Sequence, residues 1–548
     1  MTKKLQKLEW IVACLLTALA LFLHVSRYLH AGALWRDEAA AVGLATQPTL
    51  GAVFESFPHE AFPLVVPLTL RTWVAVTGGS DTAFRAFGLL VGIGILAALW
   101  WNAWSLRRSP PLVSLALLGA SPVLLQYGDA VRGYGLGTLF LLLAFGGLAA
   151  GMVRPSLGWR IWAFVAILLA AHSLIPDWAL LGALGLAAVA VPLWRRRGRE
   201  ALWVLGIGLA VALSLLPYAG PLSRARAWNV VVTSPVPVGW RALWGGLAEV
   251  ASAPLLVLRW IWLLALVLAV LGGVRRLRAR PEPAASAALE PAAPVGETER
   301  DLALFGLLTM IFGSAACFTF LAVLRYDPRP WYYLPLLVLL ASACDLLIAG
   351  LVSSRGGRLA RVVGALALGA LLFPPARGLA AVRQTNADLV AQTVARAAAP
   401  EDLVLVNPWY DGISFARYYH GRTPWLTLPE ITDHRFHRYD LLQDRMASPR
   451  PIADVLEAFG ATLGAGHRVW VVGGLHLMKP GRRPLVLPPA PGSRWGWFDV
   501  PYAVSWSQQV GAFLQAHATR AGRVEVPTPG PVADYERLEL LVFDGWRE

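Results

Sequence analysis

The residues of this chain best suited to chemistry begin at Leu34-Trp35-Arg36-Asp37-Glu38-Ala39-Ala40, directly after an apolar segment from Trp10 to Leu29. A carboxylate is costly in hydrocarbon, so two of them where a membrane helix meets water have two readings. They form a solvated first helical turn, where acids favour the helix dipole, or they belong to a reaction centre. A carboxylate can take a proton from an attacking hydroxyl, and a pair of them can orient a substrate or hold a cation. Arginines able to grip an anion lie far away in the chain, at Arg132, Arg325 and Arg329, with Arg224, Arg226 and Arg241 in a long loop. Asp129 and Tyr134 accompany Arg132, and Arg329 opens the aromatic run Arg329-Pro330-Trp331-Tyr332-Tyr333. Each arginine has a plainer reading as a snorkelling or ion-paired interfacial residue.

The elements that must position these groups are membrane helices. The 548-residue chain is 56% hydrophobic, 15% charged and carries 24 Trp. Its apolar runs are long enough for a bilayer, which makes it polytopic. The net charge of +14 lies entirely before Gly378, because the remainder holds 17 Lys plus Arg against 17 Asp plus Glu. Gathered in short loops, that excess follows the positive-inside rule and excludes nucleic-acid binding as the explanation. Cys14, Cys317 and Cys344 fall in apolar segments and suggest neither a disulfide framework nor a metal knuckle. The basic start with Lys3, Lys4 and Lys7, lacking a clear cleavage site, reads as an uncleaved first span with a cytoplasmic N-terminus.

Hydropathy gives spans at 10–29, 85–105, 112–127, 134–153, 159–175, 178–194, 201–219, 255–274, 302–324, 331–350 and 360–376. Segment 62–77, with Pro63, Pro67 and Arg71, reads as interfacial or re-entrant; a twelfth span there would invert every later loop. Arginine clusters at 107–108, 154–160, 195–199, 275–280 and 355–361 mark the cytoplasmic side. Loop 30–84, the turn 129–134, segment 172–178, loop 220–254 and loop 325–330 then share the opposite face. The run 238–250 has the spacing of a helix lying on the membrane. Residues from about 278 to 300, rich in Ala, Pro and Glu, read as a disordered cytoplasmic linker.

The transmembrane part is expected over 1–377 and an extracytoplasmic α/β domain over 378–548. Strands are expected near 403–407, 425–428, 469–473, 522–527 and 536–543, with helices near 387–399, 413–419, 452–463 and 507–519. That alternation predicts a mainly parallel sheet. The pair Gly473-Gly474 lacks the spacing of a dinucleotide loop.

Trp35-Arg36-Asp37-Glu38-Ala39 after the first span, His59 before Pro63-Leu64, Arg85 opening a span, Arg132-Gly133-Tyr134-Gly135-Leu136 opening another and His172-Ser173 late in a span carry a resemblance. They resemble the polyprenyl-phosphate-sugar glycosyltransferases of the GT-C fold, notably the bacterial relatives of protein O-mannosyltransferases and of the lipid A aminoarabinose transferase (glycosyltransferase family 39-like). The likeness covers about 5–180 well and the later spans loosely. Two departures stand out. His59 is separated from Pro63 by Glu60-Ala61-Phe62, where the family has His beside paired prolines. Asp129 lies three before Arg132, where an acid two before is common.

The resemblance implies transfer of a hexose or pentose from a lipid phosphate to an acceptor, with inversion, in a bacterial inner membrane. Asp37 is then the candidate base, and Glu38 orients the acceptor or helps to bind a metal. Arg132, Arg329 and Arg325 hold the donor phosphate through the bidentate guanidinium fork. His59, Asp129, Tyr134, His172, Tyr332 and Tyr333 contact substrate. The expected partners are a polyprenyl-phosphate-linked sugar, membrane lipids and an acceptor that is a lipid, a glycan or a protein. No cofactor is assigned and no dense ligand cluster is visible, which leaves a divalent cation as an option. A lipid-linked-glycan transporter or flippase would instead need charges along a path through both leaflets, in repeated halves. A non-catalytic envelope assembly protein would leave the acid pair unexplained.

Overall fold

The computed structural model describes residues 2–60, 62–106, 109–229, 231–233, 238–279, 295–325, 328–349, 351, 354–491 and 497–548. Among them, nine helices are long and apolar enough to cross a membrane. The first ten helices are α1 (Thr2–His30), α2 (Arg36–Ala45), α3 (Leu50–Ser56), α4 (Val65–Thr77), α5 (Asp81–Ser105), α6 (Leu112–Leu118), α7 (Gly133–Val153), α8 (Leu157–Ala171), α9 (Asp177–Trp194) and α10 (Gly198–Ser214). Later spanning-length helices include Leu258–Arg278, Gly296–Leu324, Pro330–Ile348 and Arg355–Ala380. Of the linker expected at about 278–300, residues 280–294 lie outside the described residues, while 296–300 belong to the helix Gly296–Leu324.

Two expected spans take other forms. Segment 112–127 is broken, because α6 stops at Leu118 and a π-helical turn, Leu124–Gly128, follows Pro122. Proline has no N–H to continue a helix. The start of α6 is capped by Asp345 from the Pro330–Ile348 helix, which accepts from the backbone N–H groups of Val113 at 2.8 Å and Ser114 at 2.9 Å. Segment 159–175 becomes the 15-residue helix α8, opened by the Ser156 hydroxyl, which accepts from the Trp159 N–H, and closed at His172. Segment 62–77 contains α4, which ends at Gly78 in a left-handed conformation, φ 80°.

Beyond residue 378, five strands form one sheet of order β2-β1-β3-β5-β4: β1 (Leu403–Asn407), β2 (Trp425–Thr427), β3 (Val469–Gly473), β4 (Ala518–Arg523) and β5 (Leu540–Trp546). The β2-β1-β3 half is parallel as expected, whereas β5 and β4 are antiparallel neighbours, so the sheet is mixed. Central β1 and β3 are buried along their whole length, as strands covered on both faces should be. Leu403 and Leu405 feed one core while Val404 and Val406 feed the other.

Helix α2 is pressed between the bundle and this domain. Ala39 and Ala40 pack on Ile413 and Phe436. Small side chains permit that approach, and at Gly43 a Cβ would lie 2.3 Å from the Arg435 carbonyl oxygen. Polar ties flank it. Tyr418 Oη donates to Asp81 at 2.6 Å and accepts from the Leu34 N–H at 2.7 Å, and Arg417 pairs with Asp81 at 2.7 Å. Arg27, near the end of α1, reaches the Val382 carbonyl and Gln384.

Candidate functional site

The two adjacent acids of α2 point to different surroundings. Glu38 is 1% exposed. Its carboxylate takes Arg85 Nη1 at 2.8 Å, the Val131 N–H at 3.0 Å and the Trp35 N–H at 3.4 Å. Arg85 also donates to the Gly32 carbonyl at 2.9 Å and the Ala33 carbonyl at 2.5 Å. Glu38 therefore pins the turn before α2 to α5 and to the turn before α7. Glu38, expected to orient an acceptor or help to bind a metal, has its carboxylate engaged by these three partners.

Asp37 looks into a partly open centre, with its side chain 17% exposed. Around it lie Arg132 Nη1 at 3.6 Å, His437 Nε2 at 3.6 Å and Arg36 Nε at 3.7 Å. Burial pushes the carboxyl pKa up. The charges of Arg132, His437, Arg36 and Arg329 outweigh that and hold it below the usual carboxylate range.

Arg132 is the extended residue immediately before α7. Its Nη1 donates to the Asp37 backbone carbonyl at 2.7 Å and lies 3.5 Å from Glu60 Oε2. The guanidinium rests 4.5 Å over the Phe62 ring and 5.9 Å from that of Tyr134, a cation on aromatic faces. Its Nε is buried with no hydrogen-bond partner among the described residues.

Glu60 then reaches His437, which comes from the C-terminal domain. His437 Nδ1 sits against Glu60 Oε1. A carboxylate only accepts, so Nδ1 carries the hydrogen and Nε2 is turned toward Asp37. On the other side Arg36 joins Asp411 at 3.1 Å and Glu536 at 3.6 Å, and its backbone N–H donates to Glu536 at 2.7 Å. Burial pushes Asp411 up against the pull of Arg36; burial and the neighbouring Asp411 charge push Glu536 up. Tyr134, Trp331 and Tyr332 form an aromatic wall beside Arg132, with Tyr134 centred 6.1 Å from Trp331 and 6.5 Å from Tyr332. The Arg329 charge acts on both Asp37 and Tyr332.

Asp37, Arg132, Tyr134, Arg329 and Tyr332 are thus brought together, and other expected contacts are not. Asp129 holds His24 Nδ1, with both oxygens at 2.8 Å, inside the bundle; a Cβ at Gly92 would lie 2.0 Å from its Oδ1. His172 uses both ring nitrogens, on Tyr218 Oη at 2.8 Å and Ser214 Oγ at 3.0 Å, and is a satisfied histidine. Tyr333 is fully buried and donates to the Leu243 carbonyl at 2.9 Å, tying the helix Trp240–Ser252 to the loop before the next span. His59 is sandwiched between Trp228, 5.0 Å away, and Phe436, 5.5 Å away, with Asp440 3.6 Å from its Nδ1; burial lowers its pKa. Its neighbour Glu60 takes the place at the centre. Arg325 ends its helix in a left-handed conformation, φ 57°; residues 326 and 327 lie outside the described residues.

The donor set around Asp37 does not fit a metal, since guanidinium groups sit between the carboxylates. No group of three or more His, Cys, Asp and Glu arranged to hold an ion occurs among the described residues. Glu60, His437, Arg36, Asp411 and Glu536 are the members that sequence reasoning missed. For Glu60 a signal existed in its place between His59 and Pro63. His437 stands 377 residues from Glu60 and had none.

No family model matches the chain, and no curated protein matches it in sequence. Among solved structures it is similar to ArnT from Cupriavidus metallidurans bound to undecaprenyl phosphate, at TM-score 0.49 and 12% identity, covering 97% of this chain and 98% of that one. The apo state of the same protein gives TM-score 0.47 and 14% identity over 84% of this chain and 92% of that chain. It is also similar to the archaeal oligosaccharyltransferase AglB from Archaeoglobus fulgidus in complex with an inhibitory peptide and a dolichol-phosphate, at TM-score 0.43 and 13% identity, over 84% of this chain and 69% of that chain.

Proposed function

We propose that this chain is a membrane glycosyltransferase of the GT-C type, moving a sugar from a polyprenyl-phosphate donor to an acceptor hydroxyl on the outer face of a bacterial inner membrane. The observation that carries the reading is the meeting of Asp37 and Arg132, 95 residues apart, at 3.6 Å beside an aromatic wall. One is a base for an acceptor and the other a cation for a leaving phosphate, and the resemblance of both stretches to the same family supports that pairing of roles.

In this reading the acceptor oxygen attacks the anomeric carbon while Asp37 takes its proton. The bond from that carbon to the phosphate oxygen breaks, and its electron pair leaves with the phosphate toward Arg132 and Arg329. A single displacement inverts the centre. Positioned donors at the departing charge and a positioned base are the two large terms available without a cofactor. Phosphate docked on Arg132 also neutralises the charge that holds Asp37 down, so the base strengthens when donor is bound. Glu60 and His437 are positioning groups: Glu60 orients the imidazole through Nδ1, and the imidazole faces Asp37.

The test is transfer of labelled sugar in proteoliposomes from a panel of polyprenyl-phosphate sugars, together with binding of undecaprenyl phosphate to the purified protein. Arg132→Ala is expected to weaken binding at least tenfold. Absence of transfer with every donor, together with undecaprenyl phosphate binding that is indifferent to Arg132, would remove the transferase reading in favour of transport or assembly.

A further inference from the structure

At the end of the bundle far from Asp37, α7, α8, α9 and α10 surround a small open cleft of about 70 Å³. Helix α7 begins beside Arg132 and reaches this cleft with its last two turns; over 21 residues it spans about 30 Å, a bilayer core, so the two sites belong to opposite leaflets. The inner walls are apolar, formed by Leu148, Met152 and Val191, and the mouth carries Arg160, Arg195 and Arg197.

These arginines are not equivalent. Arg195 is neutralised by Asp301 at 2.7 Å and donates to the Glu297 carbonyl at 3.0 Å. Arg197 lies 3.7 Å from Glu297 and 3.9 Å from Glu200. Arg160 faces the Trp203 ring at 5.3 Å and has no carboxylate partner among the described residues. An uncompensated guanidinium at the mouth of an apolar cleft, flanked by indole rings at interfacial depth, complements an amphiphile with one anionic head and hydrocarbon below it.

We propose that this cleft binds an acidic phospholipid of the leaflet at the basic end of the bundle. Its phosphodiester pairs with Arg160, and the top of an acyl chain lies along α7 and α9. The site does not depend on the transferase reading. Two variants probe it by different physics. Arg160→Ala removes the charge. Gly151→Leu adds bulk to the cleft wall, at a position where a Cβ meets nothing within 4 Å.

The full-length protein, released from membranes in mild detergent, is titrated with phosphatidylglycerol and separately with phosphatidylcholine and followed by native mass spectrometry. One retained phosphatidylglycerol is expected, with phosphatidylcholine held at least tenfold more weakly. Arg160→Ala and Gly151→Leu should each lower phosphatidylglycerol retention about tenfold, while Arg160→Lys retains most of it and millimolar inorganic phosphate does not displace it. Equal retention of both lipids, or wild-type retention by both Arg160→Ala and Gly151→Leu, overturns the proposal. Displacement by phosphate alone also overturns it, in favour of a free-anion site. Arg160→Lys and Gly151→Leu keep charge and fold respectively, so a poorly folded alanine variant leaves the decision intact.

Discussion

Asp37 and Glu38 are neighbours in sequence with the same functional group, and they should fail in opposite ways. The side-chain contacts of Asp37 with Arg36, Arg132 and His437 lie at 3.6–3.7 Å, beyond a hydrogen bond. Each of these groups keeps another partner without it: Arg132 and His437 have Glu60, and Arg36 has Asp411 and Glu536. Asp37→Asn, nearly isosteric, should therefore melt within about 2 °C of wild type, as expected for a change well under 1 kcal/mol. Loss of a positioned base should lower turnover by roughly 10²–10⁴, or about 2.7–5.5 kcal/mol of barrier. Glu38→Ala instead leaves Arg85, itself only 7% exposed, without its counter-charge. Breaking a buried pair from one side costs about 3–5 kcal/mol, enough to lower the melting temperature by several degrees or abolish the monodisperse protein. The assay pairs proteoliposome turnover with thermal melting of the same preparations. Asp37→Asn turning over within tenfold of wild type, or Glu38→Ala melting with it, refutes the division.

Donor binding should alter the acid limb of the pH profile. Asp37 is held below the ordinary carboxylate range in the free protein, so kcat/KM is expected to fall only at low pH. The limb of kcat, which reports the complex, should lie higher; coincident limbs would contradict phosphate docking beside Asp37. His437→Ala removes one of the groups holding Asp37 down. It should move the kcat/KM limb upward while lowering turnover roughly tenfold, and a purely structural histidine would leave the limb in place. His434, tilted against the Trp425 ring with centroids 4.3 Å apart, is pushed down by burial to about 4 from its ordinary 6.5. Between those values the unfolded chain binds a proton that the folded domain refuses. Its contribution is therefore complete above about 6.5 and is lost as the pH falls toward 4. His434→Phe should flatten that part of the stability profile, and an unchanged slope would place the titration elsewhere.

Local pattern made the membrane class, the acid pair and the Arg132 turn legible, because apolar length and an interrupted apolar run are properties of a few neighbouring residues. The inner strands could be read for the same reason: Leu403-Val404-Leu405-Val406 is apolar at every position, as a strand covered on both faces must be. Edge strand β4 is exposed along nearly its whole length and β5 is only partly buried, and their pairing direction depends on connections that periodicity does not encode. At the centre the errors trace to spacing. A step of one residue, from His59 to Glu60, exchanges an aromatic sandwich for a place beside Arg132. The three-residue interval from Asp129 to Arg132 turns that carboxylate into the bundle, onto His24. His172 had the residue type of a ligand, but its partners, Tyr218 and Ser214, lie 46 and 42 residues on.

The burial of several carboxylates in one centre also sorts them. Asp37 faces Arg132, His437 and Arg36 and is held low, whereas Asp411 and Glu536 share Arg36 with each other and are pushed up by burial. Groups of one chemical type with pKa values driven apart are how a site keeps one acid ionised as a base while others carry protons at the same pH. The divergence comes from Arg132 and His437, which pull Asp37 down, and from burial, which lifts Asp411 and Glu536; Arg36 pulls on all three, touching Asp37 on the bundle side and Asp411 and Glu536 on the domain side. In the proposed transfer, a proton taken up at Asp37 would be felt across the domain boundary, through one guanidinium 3.1–3.7 Å from all three. In the proposed reaction that coupling would give the C-terminal domain an electrostatic part, beyond covering the centre.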